Sequence, residues 1–216
     1  MLFRDRAEAG RLLSRELLDA VPELRAEPVT VLAIPRGGVP VAAPIALLLH
    51  APLDVFIARK LGAPGREELA IGAVAADGTR VVDRELVRAL HVSEQYIEKI
   101  TAREIAEAQR RLALFRGTRP PPTIRDRSTI LVDDGLATGA TARAALEVLR
   151  AEKPLRLIFA APVASAEGAE AVASLGVTTV FSAIPKHFQG VGEWYEVFDQ
   201  TSDEEVLALL SAVNAR

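Results

Sequence analysis

The chain has 216 residues, 50% of them hydrophobic, enough for one domain to bury a full core. A formal net charge of −3 and a pI near 5.7 exclude a general pull towards nucleic acid or an anionic membrane, so any anion site must be local. Without cysteine it has no disulfide or thiolate metal site. No apolar run reaches membrane-spanning length, and Asp5 and Glu8 stand where a signal peptide has its apolar core, so a cytoplasmic protein is expected.

Phe3 to Leu18 sets Leu12, Leu13, Leu17 and Leu18 on one stripe among Arg and Glu, which predicts a structural amphipathic helix on the edge of the domain. Pro22 and Pro28 bracket a connection, and the continuous apolar run from Val29 to Ile34 predicts a buried parallel strand. A helical pattern follows from Val39 to Leu49, with Pro40 suited to its first turn and Pro44 bending or delaying it. Between strand and helix lies Pro35-Arg36-Gly37-Gly38. This is either a plain turn or an anion site in which glycine lets backbone N–H groups face a ligand and Arg36 adds charged donors.

Leu53 to Ala58 predicts the next parallel strand, with Arg59 and Lys60 at its end. Taken alone, the two cations form a basic strand end facing water. Beside Arg36, they point to the rim where open α/β sheets bind ligands. Gly62 to Arg66 is a turn cluster, Asp77-Gly78 a hairpin-type turn, and Thr79 to Val82 a returning strand. Glu85 to Phe115 is helical with a break at His91-Val92-Ser93, after which Ser93 can cap. Its stripe of Ile97, Ile100, Ile105, Leu112 and Phe115 packs inward, and its charged remainder faces solvent or a second subunit. The breaker-rich stretch Gly117 to Pro122 is a connection within one domain spanning 1–216.

Ser128 to Ala145, STILVDDGLATGATARAA, organises the chain. A β-branched strand stops at Asp133 and Asp134, and a loop of small residues opens an Ala-rich helix. Gly135, Ala137, Thr138, Gly139, Ala140 and Thr141 leave the backbone nearly bare, so N–H groups can converge on a phosphate at the helix start. Two carboxylates beside a phosphate would repel it unless they hold a neutral group attached to it, and vicinal sugar hydroxyls are such donors. A sugar phosphate fits; the competing reading is a tight strand-to-helix turn.

Leu155 to Val163 and Val177 to Ala183 predict two more strands, separated by a small-residue helix that Ser165 caps and Gly176 ends. The alternation predicts an α/β fold, an open, mainly parallel twisted sheet with helices on both faces. Ile184 to Phe198 gathers Phe188, Trp194, Tyr195 and Phe198 around Lys186 and His187. The segment is either a clamp for a planar base, made of an aromatic face and a polar donor, or a satellite core, the reading favoured for Trp194 and Phe198. Ser202 caps a last helix from Asp203 to Val213.

VDDGLATGAT resembles the phosphoribosyl diphosphate (PRPP) motif of type I phosphoribosyltransferases. The resemblance implies that Asp133 and Asp134 bind the ribose hydroxyls, that Ala137, Thr138, Gly139, Ala140 and Thr141 wrap the 5-phosphate, and that Arg36, Gly37, Gly38, Arg59 and Lys60 hold the diphosphate. It places Asp133, Asp134 and Lys60 in catalysis, a strained or cis peptide near Arg36, a mobile loop or hairpin over 62–82, a helical insertion over 84–116, and a base-binding hood over 184–200 with Lys186 and Phe188. Mg²⁺ is expected on the diphosphate and sugar oxygens without a protein metal cage, and no nucleic-acid or membrane partner; a homodimer fits the family. Enzymes acting on 6-oxopurines usually carry an acidic residue where this chain has Ala137, so adenine-type enzymes are the better match there, and the base stays open. The activity implied is transfer of a 5-phosphoribosyl group from PRPP to a nitrogenous base. A PRPP sensor of the same fold and a domain binding another phosphate are the alternatives.

Overall fold

The computed structural model describes residues 2–215. From the amino end, helix α1 (Arg6–Ala20) leads to strand β1 (Val29–Ala33), helix α2 (Gly38–Leu48) and strand β2 (Leu53–Val55). Strands β3 (Ala58–Ala63), β4 (Arg66–Ala75) and β5 (Arg80–Val82) precede helices α3 (Arg84–Ala89) and α4 (Glu94–Arg116). The rest comprises β6 (Ser128–Val132), α5 (Ala140–Ala151), β7 (Arg156–Val163), α6 (Ala166–Ala173), β8 (Thr178–Ala183) and α7 (Asp203–Asn214).

A parallel sheet of five strands runs in the order β2-β1-β6-β7-β8. β1, β6 and most of β7 are buried on both faces and are rich in Val, Ile, Leu and Ala. Val31, Ala33, Ile130, Val132, Ile158 and Ala160 face a layer built on Leu13 and Leu17 of α1, Ile45 of α2 and Leu210 of α7. The alternate residues Leu32, Leu131 and Phe159 face Leu146 and Leu149 of α5 and Val172 of α6, as the two-residue period of a strand requires. Helix α2 runs through Pro44. Ser93, Ser165 and Ser202 each accept a hydrogen bond from a first-turn amide of α4, α6 and α7.

The expected strand Leu53 to Ala58 is corrected by the structure. β2 stops at Val55, the Phe56 amide donates to the carbonyl of Ala33 (2.9 Å), and Ala58 opens a second sheet. Arg59 and Lys60 therefore lie on β3, opposite Val74 and Ala73 of β4. Apolar periodicity continues across the gap because Phe56 and Ala58 pack on the core layers as well. The second sheet, β3-β4-β5, is antiparallel and covers the stretch expected to be a loop or hairpin. Its turn is at Asp77-Gly78, with Gly78 at φ +91° and the Thr79 amide donating to Asp77 Oδ1 (2.8 Å). β4 is gripped from two sides: Ile71 and Val74 pack with Ile97 and Ile100 of α4, and Ala73 and Ala75 with Ala144 and Val148 of α5. No helix among the described residues is long and apolar enough to cross a membrane.

Candidate active site

The site lies beyond the carboxyl ends of β1 and β6, where open parallel sheets receive their ligands. The last carbonyl of β6, on Val132, accepts from the Ile34 amide (2.9 Å), and the Asp133 amide donates to Ala160 (3.2 Å), so both flanking strands hold the two carboxylates in place. The Asp134 amide donates to Asp133 Oδ1 (2.9 Å). The Pro35-Arg36-Gly37-Gly38 turn presses against them: a Cβ on Gly37 would come 2.1 Å from Asp134 Oδ2, and one on Gly38 2.6 Å from the Val132 carbonyl. The peptide between Pro35 and Arg36 is cis.

Burial, followed by the charge of Asp134, raises the pKa of Asp133 well above the ordinary aspartate value, while the Arg6 guanidinium pulls the other way. Arg6, at the start of α1, meets Asp134 Oδ2 through Nε and Nη2, each at 2.8 Å. The Tyr195 hydroxyl donates to the Asp134 carbonyl (2.6 Å), and burial, then Asp134, raise the pKa of that phenol. The amino-terminal helix, expected to be merely structural, thus supplies a residue of the site. Nothing in its periodicity distinguishes Arg6 from the other arginines of a charged helix face.

The TGAT loop is fastened from behind. Leu136 bridges to the β7–α6 connection: its amide donates to Val163 (2.9 Å) and its carbonyl accepts from Ser165 (2.8 Å). Ser165 Oγ donates to the Ala137 carbonyl at 2.5 Å while accepting from Gly168 N at 2.8 Å. Gly139 takes φ +75°, which turns the chain into α5 and leaves the helix without a side-chain cap. Ala137, Thr138, Ala140 and Thr141 are exposed, as an anion cradle requires.

A cavity of about 590 Å³ joins these parts. Asp133 and Asp134 line it just after β6, Ala140 and Thr141 at the start of α5, and Arg59 and Lys60 from β3. Arg111 of α4, unnoticed in the sequence among many arginines of a charged helix, adds a further cation. Glu104, buried on α4, holds Arg59 Nε at 2.9 Å, and Glu107 holds Arg111 at 2.8 Å. Pro35 and Gly37 line the cavity, whereas the Arg36 side chain turns to Asp203 at the start of α7 (3.4 Å).

Lys186 and His187 are exposed and Phe188 is partly buried, and the cavity lining includes none of them. Tyr195 is buried with Phe3 and Ala9, and Trp194 packs on that cluster, which makes it a satellite core. Phe198 stacks on Tyr195 with ring centroids 5.1 Å apart and carries the Arg6 guanidinium 4.0 Å above its ring. The hood therefore meets the Asp134 backbone through Tyr195 and covers Arg6 of α1 with Phe198, and Lys186 and Phe188, expected to bind the base, are not in the cavity lining.

A protein of Mycobacterium tuberculosis, provisionally named a phosphoribosyl transferase, is 42% identical over 209 residues; the match covers 97% of this chain and 46% of that protein. The chain thus spans about half the length of the curated relatives it matches. The crystal structure of TT1426 from Thermus thermophilus superposes with a TM-score of 0.88 at 40% identity, covering 97% of this chain and 98% of that one. The model of the phosphoribosyl transferase domain matches residues 5–196. With that match over most of its length, the chain belongs to the phosphoribosyl transferase family.

Proposed function

We propose that the chain transfers the 5-phosphoribosyl group of PRPP to a nitrogenous base and releases diphosphate. The observation that carries this reading is the composition of one cavity, in which the paired carboxylates and the open start of α5 share the space with Arg59, Lys60 and Arg111. Such a lining matches a ligand with vicinal hydroxyls next to one phosphate and a second, more highly charged anion at the far end of its sugar. The substrate is the magnesium complex of PRPP. Asp133 and Asp134, the latter already paired with Arg6, are too few for a protein cage and suit an ion that arrives on the diphosphate and sugar oxygens.

In this reaction a ring nitrogen of the base donates its lone pair to C1 of the ribose as the bond from C1 to the diphosphate oxygen breaks, and the proton displaced from the nitrogen leaves to solvent. Positive charge grows on the ribose and negative charge on the leaving group. The protein contributes positioning and fixed charge: Asp133 and Asp134 hold the sugar, the Ala137 to Thr141 loop anchors its phosphate, and Lys60, Arg59 and Arg111 face the leaving diphosphate.

Calorimetric titration with PRPP and Mg²⁺, followed by diphosphate release across purine, pyrimidine and pyridine bases, tests this function. Saturable binding with base-dependent release is expected; absence of PRPP binding refutes it. A sensor without an acceptor reaction is favoured by one observation, the position of Lys186 and Phe188 outside the cavity lining, and predicts binding with no release from any base.

A further inference from the structure

All three nitrogens of the Arg6 guanidinium are engaged: Nε and Nη2 with Asp134 Oδ2 at 2.8 Å, and Nη1 with the carbonyl of Asp199 at 2.7 Å. The side chains of Arg6 and Asp134 are 12% and 17% exposed. Phe198 covers the guanidinium face at 4.0 Å. An ion pair so withdrawn from water is far more sensitive to loss of one partner than a surface pair. Both bonds from Arg6 fall on Oδ2, and Asp134 lines the cavity.

We propose that Arg6 is a positioning residue of the sugar site: it fixes the Asp134 carboxylate so that Oδ1 accepts a ribose hydroxyl. This rests on the reading of the cavity as a PRPP site. The single-sided grip sets the rotamer of Asp134, and Tyr195, by donating to the Asp134 carbonyl (2.6 Å), sets its backbone. Two segments far apart in sequence thereby meet at Asp134: Arg6 of α1 holds its carboxylate, Tyr195 holds its backbone carbonyl, and Phe198 and Asp199 hold Arg6. A salt bridge with only a structural role could lie anywhere on the α1 surface; this one is made to a residue lining the cavity.

The charges facing the carboxylate pair are Arg6 from α1, the Tyr195 phenol, and Arg59, Lys60 and Arg111 from the cavity lining. Burial and mutual repulsion raise the pKa of Asp133, and Arg6 opposes that rise. Removing the Arg6 charge therefore raises the Asp133 value further.

Two readouts on the folded protein test the role. In Arg6→Gln, the ligand-free titration of the Asp133 carboxyl carbon, followed by NMR, shifts to higher pH. PRPP affinity with Mg²⁺ falls about tenfold or more. Arg6→Lys, which keeps the charge and loses the fork, leaves the titration near that of the wild type and weakens binding about threefold. An unmoved titration or an unchanged affinity in folded Arg6→Gln overturns the role. Should that variant not fold, Arg6→Lys decides, and affinity equal to wild type overturns it. A wild-type protein that binds no PRPP overturns the functional reading, whereas wild-type binding matched by the Arg6 variants overturns only the role of Arg6.

Discussion

Asp133 is a carboxyl whose charge the ligand-free fold disfavours. Its pKa is raised because burial and the neighbouring Asp134 both penalise its charge. A carboxyl whose folded value lies above its unfolded value contributes stability that is complete below the unfolded pKa, near 4, and is lost as pH rises through the folded one. Asp133→Asn removes the ionisation and keeps Oδ1 as acceptor for the Asp134 amide. The variant is therefore expected to melt about 2–4 °C above the wild type at pH 7, with an advantage that shrinks as pH falls towards about 4. Calorimetric scans across that range check it, and a lower melting temperature at pH 7 contradicts the account. If the cavity is a PRPP site, as proposed, PRPP binding is expected to weaken in the same variant, with calorimetric titration as the check.

At the scale of elements, the phosphate loop depends on a neighbour. Ser165 both caps α6 through Gly168 N and donates to the Ala137 carbonyl, so one hydroxyl sets a helix start and the back of the TGAT loop. A Cβ on Gly168 would come 2.4 Å from that carbonyl, which shows how closely α6 and the loop approach. Ser165→Ala is expected to cost about 1 kcal/mol, or about 2–4 °C in melting temperature. It should also weaken ribose 5-phosphate binding severalfold in calorimetry, while a cap with no bearing on the loop would change the melting temperature alone. The cap was legible, as were Ser93 and Ser202, because an N-cap is a local device written in a few consecutive residues. So were the main motif and its strand and helix. The edge of β2 was not, since apolar residues continue through Phe56 and Ile57 while the chain passes from one sheet to another. Nor was the role of Arg6, which is created by a residue 128 positions away. The direction of Arg36 likewise depends on where α7 brings Asp203.

Across the whole molecule, α4 ties the second sheet to the main one. Its middle supplies Glu104, which holds Arg59 of β3, and its last residue, Arg116, reaches Asp54 in β2 at 2.6 Å. Asp54 is buried in an edge strand three residues long; its second oxygen accepts from the Val55 amide (2.8 Å) and lies 3.7 Å from Arg119. Removing one partner of a buried pair leaves the other charge uncompensated, at a cost of about 3–5 kcal/mol. Arg116→Met retains an apolar stem of similar reach and is expected to lower the melting temperature by about 6 °C or more. Asp54→Asn combined with Arg116→Met removes the stranded charge, and should recover part of the loss. A double-mutant cycle by thermal unfolding reads the coupling directly. If the two single losses simply add, Asp54 and Arg116 do not act as a pair, and the packing of Ala108, Leu112 and Phe115 is what chiefly holds α4 to the sheet. Coupling of about 1 kcal/mol or more would make this ion pair the clasp that keeps α4, and with it Glu104 and Arg111, registered against the cavity.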